Sequence, residues 1–155
     1  MRAWELAATV PDPELPWVTI EELGILRDVT EDDQGRAHVQ ITPTYSGCPA
    51  MAAIRQDVVD RLTEAGYRQV AVELVLAPAW TTDWITPAGR DKLARHGIAP
   101  PGPAGEGPVP VRLTVRCPRC GSGDTRESSA FGSTACQSLW VCRSCREPFN
   151  HLKPL

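Results

Sequence analysis

Apolar and polar residues recur with two different periods in the first hundred residues of the chain. Residues 37–41 and 70–76 alternate apolar with polar side chains, which is the period of half-buried strands. Residues 50–65 place apolar side chains at the spacing of an amphipathic helix. With a short helix at 2–9 and a strand at 25–30, the order is helix, strand, strand, helix, strand. The pattern therefore predicts an α+β fold, a small α/β sandwich with a three-stranded sheet and flanking helices.

Prolines and capping residues mark the ends of further elements. Prolines in residues 10–16 favour an extended turn over a helix. Thr19 and Glu22 have the spacing of a capping box, which predicts one helical turn. Thr86 followed by Pro87 predicts the start of another helix, with the threonine as its N-cap.

A stretch rich in proline and glycine separates this region from the end of the chain. Residues 99–110 hold five prolines and three glycines, the composition of a semi-rigid linker. The linker divides the chain into a first domain at 1–98 and a second at 111–155. Residues 1–98 carry nine Lys and Arg against fifteen Asp and Glu, whereas 111–155 carry seven against three. The second domain is therefore basic, within a chain whose formal net charge is −3.

The composition, with 42% hydrophobic and 23% charged residues, is that of a soluble globular protein. No stretch is long and apolar enough to cross a membrane, and the N-terminus lacks the apolar run of a signal peptide. We therefore expect a cytoplasmic location, where thiols stay reduced, and no membrane partner. Six cysteines in that compartment indicate metal or thiol chemistry rather than disulfides.

Four of the six cysteines form two C-x2-C pairs. Cys117 and Cys120 make the first, Cys142 and Cys145 the second, and 21 residues separate the pairs. Each pair can point two thiolates at one ion, and two pairs complete a tetrahedral shell of four sulfurs. β-forming residues at 112–115 and 139–141 extend the prediction to a β zinc ribbon of three short strands. Structural Zn²⁺ is the expected metal, although the same four sulfurs also suit iron.

The other two cysteines, Cys48 and Cys136, lie outside this pattern. Cys48 follows a strand and a glycine-containing turn, and Pro49 is well placed as the first residue of the next helix. Cys48 would then lie near the N-cap, where free amides and the helix dipole favour a thiolate that can bind a soft metal. Alternatively, it is a small buried hydrophobic residue. Cys136 is either a spare thiol of the ribbon hairpin or a second functional cysteine.

Two tryptophans, Trp80 and Trp84, bracket Thr82 and Asp83 directly after the last strand of the first domain. The indoles either line a site or a partner surface, or cap the open end of the sheet as part of the core. The lone histidines His38 and His151 are expected at the surface.

Two acidic residues, Asp12 and Glu14, alternate with prolines near the N-terminus. They are metal ligands or helix-end charges, or, as composition favours, charges of a solvated turn.

Several motifs of other functions do not occur in the sequence. There is no Glu-x-x-His pair for a di-iron site and no Gly-x-Gly-x-x-Gly dinucleotide turn. The ribbon is basic but has few aromatic residues between its charges, which argues against a nucleic-acid-binding protein. The chain is therefore not expected to be an enzyme by itself.

Taken together, these motifs resemble known families. Residues 1–98 resemble the SufT-type iron–sulfur assembly domain, and the resemblance rests on four segments: Asp12-Pro13-Glu14, Leu23-Gly24-Ile25, Tyr45-Ser46-Gly47-Cys48-Pro49 and Pro78-Ala79-Trp80-Thr81-Thr82-Asp83. The tail resembles a narrower group through three segments: Cys117-Pro118-Arg119-Cys120-Gly121-Ser122, Phe131-Gly132-Ser133-Thr134-Ala135-Cys136 and Cys142-Arg143-Ser144-Cys145-Arg146-Glu147-Pro148-Phe149. The whole chain is similar to the PaaD family, the D proteins of the bacterial phenylacetyl-CoA epoxidase system of phenylacetate catabolism.

The resemblance implies an accessory factor that assists assembly of an iron or iron–sulfur centre in a multicomponent monooxygenase. That system has a di-iron oxygenase subunit and a reductase with flavin and a [2Fe–2S] cluster, and these components are the implied partners. Cys48 and Cys136 are the implied transfer ligands of a transient iron or iron–sulfur cluster. Eight residues are implied as supporting or partner-surface residues: Asp12, Glu14, Thr44, Ser46, Trp80, Thr82, Asp83 and Trp84.

Two alternatives remain beside this interpretation. The chain could be a non-catalytic structural subunit of the epoxidase complex, or, with less support, a zinc-ribbon protein that binds nucleic acid. A second chain could also bring a further cysteine to Cys48, which leaves open a homodimer that shares a cluster.

Overall fold

The structure, a computed structural model, describes residues 2–45, 47–104 and 114–154. These residues form two compact units, of which the first ends at Gly89 and the second begins at Arg90. The domain bounds expected from composition, at 98 and 111, stay a prediction, because residues 105–113 lie outside the described ranges. Ser46 lies outside them as well.

The first unit has the element order that the hydrophobic pattern predicts. A helix α1 (Arg2–Ala8) is followed by two strands, β1 (Leu26–Glu31) and β2 (Arg36–Ile41), then a helix α2 (Ala50–Glu64) and a strand β3 (Gln69–Leu74). Strands β1 and β2 are antiparallel, whereas β3 runs parallel to β2. The sheet order β1-β2-β3 makes β3 an outer strand. The α+β prediction with a three-stranded sheet is confirmed.

One face of this sheet packs against the helices. Along β2, Ala37, Val39 and Ile41 are buried and alternate with half-buried polar residues, as expected for a half-buried strand. The helix α2 contributes its apolar stripe to the same core, through Ile54, Val58 and Leu62. The two sequence periods therefore meet in one core.

Two capping predictions are confirmed by hydrogen bonds. The backbone N–H of Thr19 donates to Glu22 Oε2 (2.9 Å), and the N–H of Glu22 donates to Thr19 Oγ1 (3.2 Å). Residues 20–24 nevertheless form a turn and not a helix. Thr86 Oγ1 accepts from the N–H of Gly89 at 3.1 Å, at the start of α3 (Pro87–Arg95). Side-chain capping therefore forms locally in both places.

The strand β3 is shorter than the alternation at 70–76 predicts. Val72 is buried, but Leu74 and Leu76, which continue the same alternation, are 46% and 71% exposed. Alternation places these side chains on one face, where Val72 belongs to the buried core and neither leucine does. The strand therefore ends in two uncovered leucines.

The second unit is built on a four-stranded sheet of order β4-β7-β6-β5. Its strands are β4 (Ile98–Ala99), β5 (Thr125–Ser129), β6 (Gln137–Cys142) and β7 (Pro148–Leu152). The predicted strand at 139–141 lies within β6, but the one at 112–115 is wrong for its described residues, because Thr114 and Val115 are in no strand. The two edges of β6 are taken by β5 and β7 instead. Ala99, which composition assigned to the linker, pairs with His151.

The surface prediction for His151 is wrong. Its side chain is 6% exposed, and its ring lies edge-on to Trp140 with 6.1 Å between the ring centroids. In β7 it shares a face with Phe149, which is also buried. His38 is more exposed and lies 3.2 Å from Glu73 Oε2 on the first sheet. A histidine's sequence neighbours alone do not distinguish these two environments.

Within the described ranges, no helix combines the length and the apolar character that crossing a bilayer requires.

Candidate functional site

The two C-x2-C pairs come together in the second unit. The sulfur atoms of Cys117, Cys120, Cys142 and Cys145 all lie within 4.8 Å of one another. The Sγ atoms of Cys117 and Cys145 are 3.8 Å apart, and those of Cys120 and Cys142 are 3.6 Å apart. A tetrahedron with metal–sulfur bonds of about 2.3 Å has sulfur–sulfur edges of about 3.8 Å. The four sulfurs therefore fit one tetrahedral ion.

The backbone turns that form this cluster repeat in both pairs. The residue after the second cysteine has a positive φ in each case, 75° at Gly121 and 65° at Arg146. In the first pair, the N–H of Gly121 donates to the carbonyl of Cys117 at 2.9 Å and closes the turn. Glycine adopts this conformation without strain, whereas arginine does so at a cost of about 1–2 kcal/mol. The sequence predicts the left-handed residue at Gly121 but not at Arg146.

The thiol pKa values of the cluster diverge. The N–H of Cys145 donates to Cys142 Sγ (3.5 Å) and lowers the pKa of the Cys142 thiol to about 7. At Cys145, the N–H of Glu147 acts to lower the pKa, but burial and hydrogen bonds to the neighbouring sulfurs outweigh it and raise the pKa to about 12. Four thiols this close share protons unevenly, whereas a bound divalent cation holds all four as thiolates.

Cys48 lies in the first unit, in the turn between β2 and α2. Its N–H donates to the carbonyl of Tyr45 (3.2 Å), and its carbonyl accepts from the N–H of Met51 (3.4 Å). The side chain is half-buried and packs against the core. Cys48 lies near the N-cap of α2, as expected. The N-cap is Pro49, whose backbone angles (φ −69°, ψ −20°) are already helical, and Cys48 directly precedes it.

The strand that leads to Cys48 ends in a buried hydroxyl. Thr42 follows β2, is 1% exposed, and its N–H donates to the carbonyl of Ile25 at 2.9 Å. Its Oγ1 has no hydrogen-bond partner among the described residues. Thr44, a predicted supporting residue, is half-buried in the same turn, and Ser46 falls outside the described ranges. Sequence reasoning did not single out Thr42. Its position directly after the last core residue of β2 is the signal that could have indicated a buried hydroxyl.

Asp12 is a buried residue and not the solvated charge that one alternative assigned to it. Its Oδ1 accepts from the N–H groups of Glu14 and Leu15, both at 2.8 Å. Burial raises the pKa of Asp12, and these two hydrogen bonds oppose the shift. Glu14 is exposed overall, but partial burial of its carboxyl group and the neighbouring charge of Asp12 raise its pKa. Asp12 therefore holds a turn, although its carboxylate loses hydration there.

The two tryptophans have different environments. Trp80 is buried, and its Nε1 donates to the carbonyl of Leu23 at 2.9 Å. Trp84 is half-buried, with the Arg27 guanidinium 3.6 Å from its ring centroid. It packs so closely on Gly24 that a Cβ there would lie 2.6 Å from Trp84 Cβ. Trp80 therefore belongs to the core, as the capping alternative states.

The residues between the tryptophans also differ. Thr82 is fully buried, whereas Asp83 is exposed and its N–H donates to Thr81 Oγ1 at 3.3 Å. Thr82 can support the fold from within but cannot belong to an exposed partner surface. Asp83 stays a candidate for that surface.

Cys136 is half-buried and is not one of the four clustered cysteines. The Thr134 hydroxyl lies 3.0 Å from the sulfur of Cys136, and the carbonyl of Cys136 accepts from the N–H of Lys153 at 2.9 Å. Across residues 2–45, 47–104 and 114–154, no trio of metal-ligating side chains includes Cys48, Cys136 or Asp12. The transfer role of both outlying cysteines stays a prediction.

Comparison with known proteins bears on both halves of the chain. Residues 4–74 match the family described as "Iron-sulfur cluster assembly protein", and residues 103–153 match the "PaaD zinc beta ribbon domain". A Staphylococcus aureus (strain USA300) protein described as "Fe-S protein maturation auxiliary factor SufT" is 37% identical over 50% of this chain and 88% of its own length. A crystal structure of Domain of Unknown Function DUF59 from Bacillus anthracis, 30% identical, matches with a TM-score of 0.55 over 59% of this chain and 88% of that chain.

A relative from Escherichia coli (strain K12) matches across both halves. It is described as the D component of a "Putative 1,2-phenylacetyl-CoA epoxidase" and is 47% identical over 151 residues, which are 97% of this chain and 90% of the relative. The resemblance to SufT-type and PaaD proteins is confirmed. The chain belongs to the PaaD family, in which an iron–sulfur cluster assembly domain precedes a zinc β-ribbon domain.

Proposed function

We propose that the chain is an accessory maturation factor of a phenylacetyl-CoA epoxidase system, in which Cys48 transiently holds an iron or iron–sulfur cargo. One observation carries the proposal: four cysteine sulfurs form a closed set, and Cys48 stands apart from them, half-buried beside a helix start. One relative is described as an epoxidase component and another as an Fe–S maturation factor, which supports both parts of the proposal.

The closed cluster suits structural zinc and not transfer. Zn²⁺ bound by Cys117, Cys120, Cys142 and Cys145 would supply four bonds that hold the two turns together. The buried apolar cluster around these cysteines is small and adds Ala99, Trp140 and Phe149. A bound metal therefore contributes much of the free energy that holds this part of the second unit together. A complete shell also leaves no position at which a client ligand can enter.

Cys48 has the opposite character, because it offers a single sulfur. Among the described residues it belongs to no group of three or more potential metal ligands, so a cargo held there takes further ligands from a donor or a client protein. Transfer is then ligand exchange. The Cys48 thiolate replaces one donor ligand on iron, and a client thiolate later replaces Cys48, without a change of oxidation state. Such exchange requires an accessible thiolate, which a half-buried side chain in a surface turn can provide.

The proposed client is the epoxidase reductase, whose [2Fe–2S] cluster is the iron–sulfur centre of that system; the di-iron oxygenase subunit is the second candidate. The chain itself carries no Glu-x-x-His pair and no dinucleotide-binding turn. We therefore assign it no catalytic residue in the epoxidation. Cys136 is kept as a second candidate thiol, with its sulfur beside Thr134.

The experiment is metal, sulfide and optical analysis of anaerobically purified protein, followed by incubation with apo-reductase. Cys48→Ala is compared with Cys136→Ala and with the unaltered chain. We expect one zinc per chain in all three, and [2Fe–2S] transfer that only the Cys48 variant loses. Transfer that survives Cys48→Ala would remove Cys48 from the mechanism.

Two other outcomes would change the proposal. Visible absorbance and iron that persist in the Cys48 variant would place the iron in the four-cysteine cluster. Stable co-purification with the oxygenase subunits at equal ratio, without any transfer, would favour a structural subunit of the epoxidase.

A further inference from the structure

Among the described residues, no strand pairs with the outer side of β3 in the first sheet. The N–H of Gln69 donates to the carbonyl of Gly35 (3.4 Å), and the N–H of Val75 donates to that of Ile41 (2.9 Å), so alternate residues from 69 to 75 face β2. The residues between them direct their N–H and C=O groups away from the sheet. These are Val70, Val72, Leu74 and, beyond the strand, Leu76.

The same residues carry an apolar surface that α2 leaves uncovered. Val72 is buried in the core with α2, whereas Leu74 and Leu76 on the same alternation are 46% and 71% exposed. Single exposed leucines occur on many protein surfaces. Two of them at the end of an outer strand combine exposed apolar side chains with backbone groups that pair with no other described strand. We call residues 70–76 the β3 edge.

The β3 edge ends where the Cys48 turn begins. Leu74 is the register partner of Ile41, the last residue of β2, and the chain leaves β2 at Thr42 to reach Cys48 six residues later. The helix that starts after Cys48 packs on β3. The two leucines therefore lie at the same end of the sheet, and on the same face, as the start of α2.

We propose that the β3 edge is the docking site for an extended segment of the client protein, which adds to the sheet as a fourth strand and brings the client's thiols to Cys48. Outward backbone groups suit a strand, and Leu74 and Leu76 suit alternate apolar side chains on it. This inference rests on the proposed function, because it supplies the surface that a transfer at Cys48 requires.

Charge decides between a client and a second copy of this chain. The first unit carries six Lys and Arg against fourteen Asp and Glu, a net charge of −8. Pairing two β3 edges would bring two such units together, whereas a client strand flanked by lysine or arginine is attracted to the unit. The segment that fits is therefore basic, extended, and apolar at alternate positions.

The test uses the full chain with zinc bound and the apo-reductase as the probe. Titration of the reductase should slow hydrogen exchange at the amides of Leu74 and Leu76, the exposed residues of the β3 edge. The amides of Ala71 and Glu73, which face β2, should be slow already in the free protein. A double variant, Leu74→Lys with Leu76→Lys, should weaken binding at least about tenfold, the change that loss of one buried leucine corresponds to. Leu76→Ser alone, at the most exposed position, should weaken binding without any effect on folding.

Phe131→Lys is the matched control, because Phe131 is an equally exposed apolar side chain (69%) in the second unit. Unchanged binding by the leucine variants, or a loss with Phe131→Lys alone, would overturn the β3 assignment. A wild-type dimer that the double variant converts to a monomer would make a second copy the occupant instead. A failure of the proposed function is distinguishable from a failure of the docking site. If the proposed function is wrong, the Cys48→Ala variant transfers cluster normally, whether or not the leucine variants bind the reductase.

Discussion

Thr42→Val is expected to stabilise the first unit. The Thr42 side chain is buried and its Oγ1 has no hydrogen-bond partner among the described residues, so the folded state has lost the hydration of a hydroxyl without compensation. Such a group costs about 1–3 kcal/mol, and valine keeps the branched shape while it removes the hydroxyl. We therefore expect the free energy of unfolding to rise by about 1–2 kcal/mol, which corresponds to roughly 4–16 °C in Tm for a unit of this size.

The assay must report the first unit alone. Native-state hydrogen exchange at the amides of Ile54 and Val58, both in the core helix α2, meets this requirement. Thr82→Val is the matched control, because Thr82 is equally buried but its interactions are satisfied. It should destabilise the unit by about 1 kcal/mol or more. A loss of stability in Thr42→Val of the same size as in Thr82→Val would refute the reasoning, since the Thr42 hydroxyl would then have a partner.

Three further predictions concern the buried carboxylate and the cysteine cluster. Asp12→Asn should stabilise the first unit at pH 7. Burial raises the pKa of Asp12, so ionisation of its carboxyl group destabilises the folded state as the pH rises through that pKa, and asparagine carries no such charge. In urea titrations the gain in unfolding free energy should disappear below pH 3.8, the ordinary pKa of the group, where the carboxyl is protonated in the folded and the unfolded state. Cys120→Ser should abolish stoichiometric zinc binding and the near-ultraviolet circular dichroism of Trp140, whereas Cys136→Ser should leave both unchanged; equal losses would contradict the four-sulfur site. Gly121→Ala should lower zinc affinity by roughly tenfold in a competition titration, since a φ of 75° costs alanine about 1–2 kcal/mol, and unchanged affinity would show that the turn relaxes.

The two metal-related sites follow different physical rules. The four clustered sulfurs complete one another's coordination, so their geometry alone indicates a bound ion. Cys48 belongs to no group of three or more potential ligands among the described residues, so its proposed role depends on a second protein. This difference explains why the resident metal and the cargo are assigned to separate residues of one chain.

Features with local causes could be predicted from the sequence. The alternation in β2 and the helical spacing of α2 each follow from neighbours within a few residues, as do the capping pairs at Thr19 and Thr86. The C-x2-C spacing likewise brings two sulfurs together before any long-range contact forms. The resemblance of the two halves to known families rested on these same local motifs.

Errors of one or two residues arose where local signals compete. Pro49 was expected as the first helical residue and is the N-cap of α2, with helical backbone angles, so Cys48 still lies near the N-cap. A strand was expected at 112–115, but neither Thr114 nor Val115 forms one, because β5 and β7 occupy the edges of β6. Propensity identified residues able to pair but not the partners available to them.

Only the tertiary structure decided burial. The sequence determined the elements of the first unit, the cysteine pairs and the family, because each depends on residues close together in the chain. Asp12 and His151 look like surface residues in sequence and are buried, whereas Leu74 and Leu76 continue a core alternation and are exposed. Each outcome depends on which distant segment packs against the residue, and in β3 the packed core includes Val72 but neither leucine. Solvent exposure is a property of the whole packed unit, and no local pattern of side chains contains it.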